Sequence, residues 1–178
     1  YLLTTPPARI AADLTVIDHQ QPGAIHVESQ FDVETGTVEY RVITSEAVGA
    51  GCFHKLTGVL SAKRMEILSA QICTCADGTI VDSYRVRDYD HDGAVPEFRR
   101  EEVAAAIERA LRGELDVESL FRTRQRFTPN APRGPVSDLP MRVVVDNETS
   151  DKYTVVDVFA HDRPGLLYRI TRSLFELE

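Results

Sequence analysis

The chain has 178 residues, 43% of them hydrophobic, and a formal net charge of -8 at pH 7. This length can bury one substantial core or two small ones, and the negative charge argues against a nucleic-acid partner. No apolar run approaches the roughly 20 residues of a membrane span and no signal peptide is visible, so we expect a cytoplasmic chain with no membrane contact.

The first segment, residues 1–37, is predicted to hold a helix and then a strand. Thr5 before two prolines indicates a helix start, and apolar residues at intervals of four and three give residues 8–18 one apolar face. A strand over 25–31 then turns back, and we expect it to pair with the strand that follows. Because the sequence begins at Tyr1 and ends inside a helical pattern, we expect a piece of a longer protein, with this segment leading in from a preceding domain.

The stretch from 38 to 88 is predicted to form a strand, a helix and a hairpin. Val38, Tyr40 and Val42 alternate with charged residues, as in a strand with one buried face. The other elements follow in order: a glycine-rich turn over 48–51, a helix over 52–64, and strands over 66–75 and 79–87 joined at Asp77-Gly78. An Asp-Gly pair supplies the positive backbone angles of a tight hairpin.

The three cysteines give neither a disulfide framework nor a metal site. Cys73 and Cys75 share one face of a predicted strand, but two thiols with no further cysteine and no nearby histidine do not complete a zinc site. We therefore predict that this chain itself holds no metal and no cofactor.

The segment Asp88–Gly93 places acidic residues at every second position before a glycine. This spacing is similar to the first half of an EF-hand calcium loop. Arg99 stands where such a loop needs its bidentate glutamate, and the preceding segment is predicted to be a strand. A solvated acidic turn is therefore preferred to a calcium site at Asp88–Asp92.

The strongest helical pattern begins at Pro96 and ends at Arg112, before Gly113, and we expect this helix to lie on the same sheet as the central one. Residues 114–140 are predicted to be a linker with a short helix at 117–121. The linker is basic, which suits a tether or a contact for an acidic partner, although a solvated linker is commoner. Its basic residues are Arg122, Arg124, Arg126 and Arg133.

Residues 141–160 hold two strand patterns, after which a glycine-containing turn leads into a helix. This order repeats the plan of the central unit and predicts an internal repeat. The two copies align Gly51 with Gly165, Phe53 with Leu167, and Leu56 with Ile170.

Two stretches carry a resemblance to a known family. Residues 154–170, TVVDVFAHDRPGLLYRI, are similar to the opening of an ACT domain, and residues 68–88, LSAQICTCADGTIVDSYRVRD, are similar to its hairpin. With Asp146-Asn147, the long linker, and Tyr1-Leu-Leu-Thr before a helix, they resemble the C-terminal tandem ACT region of bacterial protein-PII uridylyltransferases. The resemblance covers nearly the whole chain.

The resemblance implies an α+β, ferredoxin-like fold in the order βαββαβ, with an antiparallel sheet and helices on one face. Residues 38–145 would form the first ACT domain, with the linker 114–140 inside it and Met141–Val145 as its fourth strand. Residues 146–178 would begin a second, truncated ACT domain.

The resemblance also implies a role. In the family, separate domains attach UMP to the PII signal protein and remove it, magnesium is expected for the transfer, and the ACT pair senses glutamine. This sequence has no Gly-Ser motif with paired aspartates and no histidine set for a metal phosphohydrolase. We therefore expect a regulatory region with no catalytic residues, with glutamine as ligand and PII as a partner through the longer protein.

The expected ligand site is the turn between strand and helix. Backbone N–H groups at a helix start can donate to a ligand carboxylate, glycine allows close approach, and an aspartate can accept an ammonium group. In the second copy the resemblance assigns these roles to Asp162, Arg163, Pro164 and Gly165. The residues alone favour a simpler role for Asp162, as the cap of the helix.

The first copy keeps only the terminal glycine, Gly51, because Val48-Gly-Ala replaces the Asp-x-Pro of the family. Glu46 is near enough in sequence to replace the lost carboxylate, whereas His54 and Lys55 are expected to face solvent. The alternative function is therefore a pairing module without a ligand. In either case, the exposed edge of a cut sheet predicts a homodimer.

Overall fold

The computed structural model describes residues 5–48, 50–127 and 140–177. Its elements, in chain order, are α1 Pro7–His19, β1 His26–Asp32, β2 Thr37–Ser45, α2 Cys52–Ala62, β3 Met65–Gln71, β4 Thr79–Asp88, α3 Glu97–Leu111, α4 Val117–Phe127, β5 Arg142–Asp146, β6 Val155–Phe159 and α5 Leu166–Phe175. No helix within these ranges is long and apolar enough to cross a membrane.

The first sheet has four antiparallel strands in the order β1-β2-β4-β3. At its centre Tyr40 on β2 lies opposite Tyr84 on β4. Helices α2 and α3 cover one face, and the core between them and the sheet includes side chains that are at most 1% exposed: Val38, Tyr40, Val42, Leu56, Leu60, Tyr84, Val86, Val103 and Ile107. This arrangement confirms the predicted α+β class and is consistent with the ferredoxin-like fold of an ACT domain.

The prediction that Met141–Val145 completes this sheet is wrong. β5 pairs with β6 in a separate two-stranded sheet, and β1 occupies the edge beside β2. The turn between β1 and β2 is short, with the N–H of Glu34 donating to Asp32 Oδ1 at 2.9 Å and Gly36 at φ +65°. Closing so short a loop costs less conformational entropy than returning a strand across a long linker, so β1 holds the edge.

Helix α1 lies on the face of the sheet opposite α2 and α3. Arg41 alternates with Tyr40 and Val42 along β2, so its side chain points away from the main core. Its Nε donates to Asp13 Oδ1 on α1 at 2.6 Å, and both side chains are only 4% exposed. The predicted Thr5 cap is wrong, because Pro6 holds the cap position and no side-chain bond caps the helix.

The short helix predicted in the linker is longer than expected. α4 continues to Phe127 and packs against α2, with Val117 and Phe121 buried. The side chains of Arg124 and Arg126, and the segment 128–139 with Arg133, lie outside the described residues.

The acidic turn after β4 is tied to α3. Asp88 is 2% exposed, and its Oδ2 accepts a hydrogen bond from Arg99 Nε at 2.9 Å. Burial alone would raise the pKa of Asp88, but hydrogen bonds from Arg99 and from the N–H of Asp90 lower it below its ordinary value. Asp88 is thus an internal ion-pair partner and not a solvated turn residue. Across the described ranges, no group of three or more His, Cys, Asp or Glu side chains is arranged to hold a metal ion.

Candidate functional site

Two glycine turns begin helices α2 and α5. Gly51 and Gly165 each occupy the N-cap position in the left-handed region, with φ of +68° and +79°. Neither helix has a side-chain cap, and the first amides of a helix have no partner within it. The start of α2 can therefore present N–H groups to an anion, whereas at the start of α5 the N–H of Leu166 already donates to the carbonyl oxygen of Arg163 at 3.0 Å.

Helices α2 and α5 pack against each other in opposite directions. The hydroxyls of Thr57 and Thr171 lie 3.0 Å apart in a buried contact. A Cβ built on Gly51 would come within 3.1 Å of the ring of Phe175. The start of α2 therefore lies beside the end of α5, so the two glycine turns are separated by about one helix length, roughly 15 Å for ten residues.

A cleft of about 550 Å³ opens at the Gly51 end of this helix pair. The start of α2 and the β3–β4 hairpin line the cleft on one side, and α5 supplies an outer wall. The lining residues are Glu46, Ala50, Gly51, Cys52, Phe53, His54, Ile72, Thr74, Ile80, Asp82, Thr171, Leu174 and Phe175. The site thus draws on two distant parts of the chain, residues 46–82 and residues 171–175.

Asp82 gives this cleft a buried carboxylate. It is 1% exposed, and burial raises its pKa to about 6. Its Oδ1 accepts from the backbone N–H of Cys73 at 3.3 Å, and its Oδ2 from the thiol of Cys52 at 3.8 Å. Sequence reasoning missed this residue, although its place in the alternation of β4 puts it on the core face.

The charged residues lining the cleft are all acidic. Glu46 and Asp82 both line it, and no lysine or arginine is among the described lining residues. A buried carboxylate with no cationic partner favours a ligand that brings a positive group. The hydrogen-bond donors for a negative group come instead from the N–H groups at the start of α2.

His54 is not the solvent-facing residue that the sequence predicts. Its ring packs against that of Phe175 in a tilted arrangement, with centroids 4.5 Å apart, and lies over Gly51. Burial and the nearby cations Lys55 and Arg172 lower the pKa of His54. Its Nδ1 is buried with no hydrogen-bond partner, so a polar ligand atom at this position would satisfy it.

The predicted residues of the second turn lie at the other end of the helix pair. Asp162, Arg163 and Pro164 are exposed, whereas Gly165 is buried. A Cβ built on Gly165 would lie 2.2 Å from the ring of Phe121 on α4, so that ring covers the turn. The structure does not bring these four residues together with Gly51.

The fold and the cleft define the class of protein first: an α+β module consistent with the ferredoxin-like fold, in which a glycine turn before helix α2 opens into a cleft walled by helix α5. No family model matches the chain. Comparison with known proteins then gives a more particular answer.

The chain is 34% identical over 160 residues to the bifunctional uridylyltransferase/uridylyl-removing enzyme of Azospirillum brasilense. This match covers 87% of this chain and 17% of that protein. The enzyme of the same name from Bradyrhizobium diazoefficiens is 34% identical over 174 residues, covering 96% of this chain and 18% of that protein. The enzyme of that name from Novosphingobium aromaticivorans is 29% identical over 183 residues, covering 99% of this chain and 19% of that protein.

The chain spans less than a fifth of the length of these curated relatives. Over most of its own length it is homologous to one region of bifunctional uridylyltransferase/uridylyl-removing enzymes. The resemblance predicted from the sequence is thereby confirmed.

Proposed function

We propose that this chain is the glutamine-sensing ACT region of a protein-PII uridylyltransferase and controls the addition and removal of UMP on PII. The observation that carries the proposal is the cleft at Gly51, where the start of a helix faces a buried carboxylate with no lysine or arginine among the described lining residues. An amino acid offers both complementary charges, one at each end of its backbone.

In this proposal the ligand carboxylate accepts hydrogen bonds from the N–H groups at the start of α2, after Gly51. The ammonium group lies against the carboxyl of Asp82, and this nearby cation favours the ionised form of that carboxyl. The side chain then extends toward the α5 wall. Glutamine suits this cleft better than glutamate, because a second ligand carboxylate would enter a cleft that has two acidic lining residues, Glu46 and Asp82, and no lysine or arginine among its described lining residues.

Regulation follows in this proposal from the shared construction of the cleft. A ligand that contacts both α2 and α5 binds most tightly to one relative position of the two helices, and so shifts the population toward it. The catalytic steps, their magnesium and the contact with PII would belong to other parts of the longer protein. The acidic pair Asp88 and Asp90 does not fit a magnesium site here, because both are ion-paired with Arg99.

A second candidate, a pairing module without ligand, is favoured by the β5–β6 sheet. Val143, Val145, Val156 and Val158 share one of its faces and are 62%, 59%, 40% and 39% exposed. A two-stranded sheet with such a face is marginally stable alone and would gain from a second copy of the chain, which agrees with the predicted homodimer.

Calorimetric titration with glutamine, asparagine and glutamate tests the proposal. We expect selective binding of glutamine, weakened about tenfold or more by Asp82→Asn, because a hydrogen bond to a charged group contributes about 1.5–3 kcal/mol. Asp157→Asn, on an exposed aspartate of β6, is the matched control and should leave the affinity unchanged.

Asp162→Ala separates the two turns. If it abolishes binding while Asp82→Asn does not, the ligand sits at the second turn instead. The absence of glutamine binding by the folded wild-type chain would overturn the sensing proposal and leave the pairing module.

A further inference from the structure

We propose that Glu118 on α4 is a positioning residue for the cleft. Glu118 does not line the cleft, but it holds in place helix α5, which forms one of the walls. The proposal rests on the amino-acid site at Gly51 described above. It assigns to the linker helix a task that its sequence, a basic and linker-like stretch, does not indicate.

Glu118 ties α4 to α5 by two hydrogen bonds on one oxygen. Its Oε2 accepts from the hydroxyl of Tyr168 at 2.9 Å and from Nη1 of Arg172. Its other oxygen, Oε1, accepts from Nε of Arg122 at 2.6 Å, a bond within α4. One carboxylate therefore joins two successive turns of α5 to the linker helix, because residues four apart share one helix face.

Apolar contacts seat α4 at the junction of the two copies. Phe121 is 6% exposed, its ring lies 5.0 Å from that of Tyr168, and it covers Gly165. Val117 packs where Gly58 of α2 leaves space, and Tyr168 enters the same space. Helix α4 thus contacts both α2 and α5, so its position constrains the positions of these two helices.

The residues held by Glu118 are next to those that line the cleft. Thr171 precedes Arg172, lines the cleft, and makes the buried hydroxyl contact with Thr57. Leu174 and Phe175 follow one turn later on the same rigid helix. A shift of α5 that follows the loss of Glu118 would move this whole wall relative to Gly51.

The test compares Glu118→Ala with Arg122→Gln, which removes the bond to Glu118 that does not reach α5. We expect Glu118→Ala to weaken glutamine binding about 5- to 20-fold, the usual size of coupling between sites, and Arg122→Gln to change it less than about twofold. Glu118→Gln keeps an acceptor for Tyr168 but not the charge for Arg172, and should fall between them.

Hydrogen exchange of the α5 amides supplies a readout that does not depend on the ligand. In the ligand-free chain we expect Glu118→Ala to speed exchange in residues 166–175 and to leave β2 and β4 unchanged. With glutamine bound, we expect the amides at the start of α2 in Glu118→Ala to remain protected from exchange and those of α5 to lose their protection.

The proposal is overturned if Glu118→Ala leaves both the affinity and the α5 exchange as in wild type, or if Arg122→Gln has the same effect as Glu118→Ala. If wild type binds no glutamine, the proposed function fails by itself. The exchange of α5 in the variants then still decides whether Glu118 positions that helix.

Discussion

Asp82 is the residue of the candidate site that the sequence pattern did not identify. It shares a face of β4 with Ile80, Tyr84 and Val86, which sit in the core. Alternation from these apolar neighbours assigns Asp82 to the same face, so the sequence does contain the signal. The sequence pattern pointed only to Glu46 as near enough to replace the missing carboxylate, because an aspartate is rarely buried and the buried face of a strand is inferred from its apolar residues.

Burial of Asp82 makes the stability of the protein depend on pH. Its pKa is raised from 3.8 to about 6, so between these values the folded chain retains a proton that the unfolded chain releases. Stability from this group is therefore greatest below about pH 4 and falls as the pH rises to about 6, by about 3 kcal/mol at most.

Urea unfolding of wild type and Asp82→Asn from pH 4 to pH 7 measures this effect. The contributions of other titrating groups cancel when the two free energies of unfolding are subtracted. We expect Asp82→Asn to gain stability relative to wild type as the pH rises. A difference that stays constant with pH would contradict the prediction.

At the scale of elements, the glycine turns were predictable and their surroundings were not. Gly51 and Gly165 stand at the starts of α2 and α5, as their alignment in the sequence indicates. His54, three residues along the chain, lies over Gly51, but each turn is also covered by a ring from far away in the chain: Phe175 at Gly51 and Phe121 at Gly165. Single-sequence patterns describe neighbours three or four residues apart and do not report such contacts.

The end of α2, the end of β4 and the start of α3 are held together by Arg99. Its side chain is 12% exposed, and besides Asp88 it donates to the carbonyl oxygen of Lys63 at 2.5 Å. We expect Arg99→Gln to lower the free energy of unfolding by about 3–5 kcal/mol, because it leaves the buried carboxylate of Asp88 without its cation.

Arg87→Gln is the control for that measurement, since Arg87 pairs with Glu66 at the surface and is 55% exposed. Exposed pairs contribute about 0–1 kcal/mol, so this variant should unfold close to wild type in urea. The loss in Arg99→Gln should shrink at acid pH, where Asp88 takes up a proton. Equal stabilities for the two variants at neutral pH would refute this account of Arg99.

At the scale of the whole molecule, helices α2, α4 and α5 meet where small residues let them approach. The buried hydroxyl contact between Thr57 and Thr171 joins positions 114 residues apart. The repeat predicted that a second helix exists, but nothing in its pattern says that it packs on the first. The same limit explains the wrong fourth strand, which was assigned by analogy with the family's order and not by any signal in Met141–Val145.

Gly58 tests this junction. A Cβ there would lie 2.3 Å from Val117 and 2.8 Å from the ring of Tyr168. We expect Gly58→Ala to destabilise the protein by about 1–3 kcal/mol through overpacking, although alanine favours a helix over glycine by about 1 kcal/mol. Thermal unfolding measures the change. Adding Val117→Ala should recover part of the loss, and a Gly58→Ala variant as stable as wild type would show that the helices are not in tight contact.

The place of β1 in the first sheet has a consequence for how the chain is made. All four strands of that sheet lie between His26 and Asp88: β1–β2 and β3–β4 are neighbours in sequence, and β2 pairs with β4 across α2 and β3. Short separations favour fast folding, and domains fold as units while the ribosome is still adding residues. The first sheet can therefore form before β5 has been synthesised, so that the second copy emerges beside a partner surface that is already folded.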